Sequence, residues 1–156
     1  MKFSAFIVTE AIRTDLEADT ARAAIDEMVG ALIAAGAVPR SHRRRLLEAV
    51  LRREKKGTTG FGNGVAIPHA KHEGVSGVVG TVALCRRGID FDALDGEPVH
   101  LIFLLLSNPE VPEDHLKAME HIFRSIKNDR LRRFMSEASS GGELVDLLRE
   151  ADEESG

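Results

Sequence analysis

The clearest periodic signal in the chain is a stripe of apolar pairs, Ala24/Ile25, Met28/Val29 and Leu32/Ile33, recurring every four residues. That spacing predicts an amphipathic helix beginning after Asp19 or Thr20, either of which can cap its free amides, and stopping at Gly36. Ser41 is a cap for a second helix that buries Leu46/Leu47 and Val50/Leu51 and ends near Gly57. Toward the C-terminus, Pro112 opens a helix with a buried line of Leu116, Met119, Ile122/Phe123 and Ile126. Asn128 caps another, with Leu131, Phe134 and Met135 inward. After Gly141-Gly142 a last helix presents Leu144, Val145, Leu147 and Leu148, and residues 151–156 are expected to fray.

Between these helical groups the period changes. Val78–Leu84 and Val99–Leu106 read as strands, and the second is apolar at nearly every position, as a central strand covered on both faces would be. Val65 to His69 reads as a short strand stopped by Pro68, preceded by a loop, Gly57 to Gly64, and Phe91–Gly96 as a turn. Residues 1–17 carry no clear pattern beyond a short strand around Ala11–Leu16. Helices at both ends around a few strands predict a layered α/β sandwich in one domain, residues 1–150.

Composition narrows the chemistry. Seven Phe and no Trp or Tyr leave the core to aliphatic side chains and weaken any role that needs stacking platforms for bases or sugars. Val99–Leu106 is too short to cross a bilayer, no secretory segment can be placed at the N-terminus, and the single Cys85 forms no internal disulfide. No membrane insertion is expected, and the cytoplasm is the expected compartment. Cys85, late in an apolar strand, reads as buried.

The net charge of −4 hides a basic segment, residues 40–56, with Arg40, Arg43, Arg44, Arg45, Arg52, Arg53, Lys55 and Lys56 against Glu48 and Glu54. Such a run is either a solvated helix face or a surface that meets an anion or acidic partner.

Gly60-x-Gly62-x-Gly64 lacks the Gly-Lys-Ser/Thr of a P-loop and precedes a strand rather than a helix, so nucleotide-binding fingerprints do not fit. Among six histidines, His42 and His121 read as surface residues and His100 as a partly buried, hydrogen-bonded one. The pair His69/His72 has metal-ligand spacing but no third ligand, so no metal is expected. His69 stands apart because Pro68 stiffens the chain entering it and Ala66 and Ala70 leave its approach open. A neutral imidazole held in that way can offer a lone pair to a bulky phosphorylated donor.

The run from Glu54 through Gly60-Phe61-Gly62-Asn63-Gly64-Val65-Ala66-Ile67-Pro68-His69-Ala70 resembles the active-site signature of the mannitol/fructose-type EIIA family of the bacterial phosphotransferase system. The resemblance continues through Phe91–Val99 and Asp114-His115-Leu116. It implies a mixed β-sheet flanked by helices on both faces, with His69 accepting a phosphoryl group from phospho-HPr and passing it to an EIIB cysteine. It assigns Arg53 and His115 to the site in support of that group, with no cofactor. The amides of Gly60, Gly62, Asn63 and Gly64 are candidate phosphate donors. The family contains sugar-transport members and nitrogen-regulatory members that act on a regulated protein, and the second branch is favoured here. The competing class is a non-catalytic module using segment 40–56 to bind nucleic acid or an acidic protein; no nucleic acid is expected as partner.

Overall fold

The computed structural model describes residues 1–154. Helix α1 (Phe3–Phe6) leads into a stretch that runs parallel to a later strand through single bridges, Ile7 to Gly80 and Arg13 to Ala83. The strand expected around Ala11–Leu16 is therefore present only as bridges, because a 3-10 turn at Thr9–Ala11 interrupts the ladder. Helix α2 (Ala21–Ala34) is capped by Thr20, whose side chain accepts from the Ala23 amide. Its end is closed by Gly36 at φ 77°, and the Ala37 amide returns to the Leu32 carbonyl. Ser41 does not cap the next helix: it lies inside a 3-10 turn, Arg40–His42, from which α3 (Arg43–Lys56) continues.

The Gly-rich passage is a hairpin rather than a loop. Strand β1 (Gly60–Gly62) pairs antiparallel with β2 (Val65–Ala66) across Asn63-Gly64, both at positive φ as a two-residue hairpin turn requires. Pro68 then breaks the ladder, and His69 opens β3 (His69–Lys71). Strands β4 (Val78–Ile89) and β5 (Val99–Ser107) form the long antiparallel centre, with β2 and β3 lying parallel along the other edge of β5. Helices α4 (Pro112–Ile126), α5 (Asp129–Ser136) and α6 (Gly141–Glu154) complete the chain.

Alternation along β5 builds two cores. Ile102, Leu104 and Leu106 face α2 and α3 with Ile25, Met28, Leu32, Leu46 and Val50. Leu101, Phe103 and Leu105 face the opposite helices, with Phe3, Ile122, Leu131, Met135, Leu144 and Leu148. A mixed sheet covered by helices on both faces is the architecture the sequence implied. Among the described residues no helix is long and apolar enough to cross a membrane.

Three expectations need correction. Helix α4 is rotated from the expected line: Leu116 is 57% exposed, while Ala118, His121, Ile122 and Ser125 face inward. Phe134 also points outward, under the guanidinium of Arg130 at 5.3 Å. The tail does not fray at 151, since α6 runs to Glu154 and Ala151 and Asp152 are buried; residues 155 and 156 lie outside the described residues. The rotation of α4 and the ordered tail share one contact. Asp152 Oδ1 accepts from His121 Nε2 at 2.8 Å and from the Phe3 amide at 2.7 Å, and Oδ2 accepts from the Ser4 amide at 3.0 Å. His121 is thus a buried strut and not a surface residue.

Candidate active site

Pro68 has no amide to give the sheet and holds Ile67 extended, which turns the Ile67 carbonyl toward the following side chain. His69 Nδ1 meets that carbonyl at 2.8 Å. A carbonyl oxygen only accepts, so Nδ1 carries the proton and Nε2 carries the lone pair. Ala70 packs in the α2/α3 core, so strand alternation turns His69 and Lys71 to the other side. There His115, in the first turn of α4, brings its ring centroid to 5.7 Å from that of His69. Its Nδ1 lies 2.6 Å from Ser107 Oγ at the end of β5.

Ala49, Arg52, Arg53 and Lys56 share one face of α3 by their three- and four-residue spacing, and they close the other wall. With His69, Ala70, Lys71 and His115 they line an open pocket of about 380 Å³. Four cations and no carboxylate line it, in a chain whose net charge is −4. Arg43 and Arg44, elsewhere on α3, are paired with Asp26 and Glu48, so the basic segment is partly neutralised and partly turned to this pocket. Larger clefts of about 700 and 860 Å³ lie beside Asp92 and beside His100; neither contains His69.

Arg53 Nη1 donates to the Gly57 carbonyl at 2.8 Å, which ties its guanidinium to the end of α3. Glu54 accepts from the amide and hydroxyl of the buried Thr59 and so anchors the hairpin under the site. Burial lowers the His69 pKa below the usual 6.5; the bond to Ile67 opposes this, Arg53 and Lys71 add to the lowering and Glu54 raises it. His115 is pushed down to about 4, by burial first, then by the charge His69 would carry and by Lys71. Both rings are therefore neutral at pH 7. His42 and His72 lie apart as an edge-on pair with centroids 5.8 Å apart, and His72 Nδ1 accepts from the Gly74 amide.

The sign of these shifts makes a measurable statement. For an imidazole whose folded pKa lies below the unfolded 6.5, stability is fully present above 6.5 and is lost as pH falls through the folded value. We expect NMR titration midpoints below 6.5 for both rings, with His115 the lower and near 4. A His115 midpoint at or above 6.5 contradicts its burial in this pocket.

The structure brings His69, His115 and Arg53 together as expected from sequence. It does not bring the glycine amides to them. The Gly60 amide donates to Thr58 Oγ1 at 3.0 Å and the Asn63 amide to Asp95 Oδ2 at 3.0 Å. Gly62 and Gly64 belong to the same hairpin, which pairs with β5 at Leu101 and Ile102, whereas His69 pairs at Leu105. That offset is about 10–13 Å of strand. The sequence reading missed Lys71 and Ser107. Alternation points to Lys71, two residues after His69 on a strand; Ser107 is the polar residue that ends an otherwise apolar run.

The fold is shared with solved proteins of one class. Nitrogen regulatory protein IIA-Ntr of Neisseria meningitidis superposes with a TM-score of 0.83 at 30% identity, covering 94% of this chain and 98% of that one. Escherichia coli mannitol IIA shares the fold at a TM-score of 0.74 and 21% identity, over 90% of this chain and 97% of that one. The chain belongs to the family described as phosphoenolpyruvate-dependent sugar phosphotransferase system, EIIA 2, whose model matches residues 5–151. It is 35% identical to a nitrogen regulatory protein of Bradyrhizobium diazoefficiens, over 95% of each chain. It is 31% identical, over 97% of its own length, to the fructose-specific EIIABC component of Bacillus subtilis, of which it spans 24%. As a member, it is a phosphotransfer component.

Proposed function

We propose that this chain is a phosphocarrier that takes a phosphoryl group on His69 Nε2 from the phosphohistidine of an HPr-type protein. The observation that carries the proposal is the 2.8 Å contact from His69 Nδ1 to the Ile67 carbonyl, which commits the lone pair to Nε2 in a pocket lined by cations. The lone pair attacks phosphorus in line, the bond from phosphorus to the donor's nitrogen breaks, and its electron pair returns to the donor's ring. Positive charge then develops on the His69 ring, where the Nδ1–H···O=C bond stabilises it. Phosphoryl transfer asks for alignment and charge neutralisation more than covalent help, and Arg53, Lys71, Arg52 and Lys56 supply the charge. Onward transfer to an EIIB cysteine reverses the geometry, with the thiolate as nucleophile.

Two branches of the family fit. The 35% identity to a nitrogen regulatory protein supports a regulatory role, in which the phosphorylation state is read by another protein. The fructose-specific relatives support transfer to a sugar permease. Incubation with phosphoenolpyruvate, enzyme I and an HPr-type donor, followed by intact-mass measurement, tests the shared step. One added acid-labile, base-stable phosphate is expected; a phosphate on Ser or Thr overturns it.

The two neighbouring arginines should separate. Both line the pocket, but the charge of Arg53 acts on His69 and its guanidinium is held by the Gly57 carbonyl. Losing a preorganised donor at a buried oxyanion site costs about 10²–10³ in rate. At this open, screened rim we expect Arg53→Ala to slow transfer roughly tenfold and Arg52→Ala roughly twofold. Equal losses in quench-flow would mean that both act only through general surface charge.

A further inference from the structure

His115 faces His69 as a neutral ring, so it has one N–H to give and one lone pair to keep. Which nitrogen holds the proton decides what the incoming phosphoryl group meets. With the proton on Nε2, the ring is a donor to the phosphoryl oxygens; with the proton on Nδ1, it sets a lone pair against them. The sequence offers no guide to that choice, but the partner of Nδ1 does.

That partner is Ser107. It closes β5 with no exposed surface, and its backbone is already committed: its carbonyl accepts from the His72 amide, and it pairs with Val78 and Lys71 across the sheet. Its hydroxyl lies 2.6 Å from His115 Nδ1. Among the described residues Ser107 Oγ meets no other hydrogen-bond partner. Were the imidazole the donor, the hydroxyl proton would be a buried donor with nothing to accept it, a state folded proteins avoid. With the hydroxyl donating, both atoms are satisfied by one bond. The same bond leaves Nε2 as the ring nitrogen not engaged by Ser107, on a side chain that lines the pocket.

We propose that Ser107 is a positioning residue: its hydroxyl donates to His115 Nδ1 and holds the ring with its proton on Nε2, as an uncharged donor to the phosphoryl group on His69. This rests on the phosphocarrier reading above. It removes a difficulty in that reading, since a ring that resists protonation cannot act as an imidazolium. The two histidines are thereby set in opposite, complementary tautomers, one by an acceptor and the other by a donor. Ile67 takes the proton of His69 Nδ1 and frees Nε2 to attack, and Ser107 occupies the lone pair of His115 Nδ1 and frees Nε2–H to support.

Two-bond ¹H–¹⁵N spectra of the ¹⁵N-labelled chain read the tautomer without any phosphate present. At neutral pH, His115 Nδ1 should resonate as a lone-pair nitrogen and Nε2 as a protonated one; a protonated Nδ1 overturns the proposal. Ser107→Ala should release the ring into a tautomer mixture and slow transfer from the HPr-type donor by about tenfold, the scale of one net hydrogen bond. Ser107→Thr, which keeps the hydroxyl, should restore both readouts. A slower Ser107→Ala with the wild-type tautomer overturns the proposal, because the residue would then act only structurally. So does a mixed tautomer with an unchanged rate. Should Ser107→Ala fail to fold, the wild-type and Ser107→Thr spectra still decide. A chain that accepts no phosphate overturns the carrier reading instead, and the tautomer arm keeps that failure distinct.

Discussion

His69→Ala should gain no phosphate in the relay that adds one to the unaltered chain. The loss should be complete, because the substitution removes the nucleophilic atom itself and leaves no substitute in the pocket. Its other imidazole, His115, has one nitrogen engaged by Ser107, and the remaining lining side chains are cations and alanines. Lys71 and Lys56 are exposed at the pocket's rim, with no neighbouring base placed to activate either as a nucleophile. Cys85 lies elsewhere, buried in β4 and 1% exposed, so Cys85→Ser should leave acceptance intact. The fold should survive the His69 substitution. His69 is half-buried on β3, which pairs through its backbone with β5, and its ring lines the open pocket. Intact-mass spectra report acceptance, and thermal denaturation reports the fold. Residual acid-labile phosphate on the variant would place the acceptor on another residue and remove His69 from its assigned role.

How far the sequence could be read depended on how local each cause was. His69 was legible because its constraint is its neighbour, Pro68, and its openness comes from Ala66 and Ala70. Val99–Leu106 was legible because a strand covered on both faces must be apolar at every position, and β5 divides its side chains between two cores. The hairpin was hidden by its own glycines: Asn63-Gly64 is a turn signal, but four glycines in eight residues read first as a loop. The amides there were assigned to phosphate because loop amides are free, whereas in the hairpin they serve Thr58 and Asp95. Helix α4 shows the deeper limit. Leu116, Met119, Ile122 and Phe123 form one helical stripe, and Ala118, His121, Ile122 and Ser125 form another of equal regularity. The choice between them is made by Phe3, whose ring lies 4.3 Å from that of His121, and by Asp152, thirty-one residues further on. Periodicity within one helix carries no information about either.

That distant contact is the basis of the second large effect, on stability rather than transfer. Asp152→Ala should destabilise the chain by about 3 kcal/mol, the upper end of the range for leaving a buried donor without its acceptor, because more than one donor is stripped. The Phe3 amide, the Ser4 amide and His121 Nε2 all donate to this carboxylate. Phe3 and His121 are 1% and 3% exposed, so water cannot replace the lost acceptor without opening the contact among α1, α4 and α6. Asp152→Asn should lose nearly as much despite its matching shape, because its amide group turns a donor toward a group that is itself a donor. Acid should act in the same direction. Burial lowers the His121 pKa below 6.5 although Asp152 raises it, so its contribution is present above 6.5 and declines as pH falls through the lower folded value. Denaturant unfolding at pH 7 checks the magnitude, and the phosphate-acceptance assay on folded variant should be little changed, since Asp152 does not line the His69 pocket. A loss under about 0.5 kcal/mol, the range of ordinary surface substitutions, would mean that the C-terminal turn is frayed after all and that His121 is held by packing against Phe3 alone.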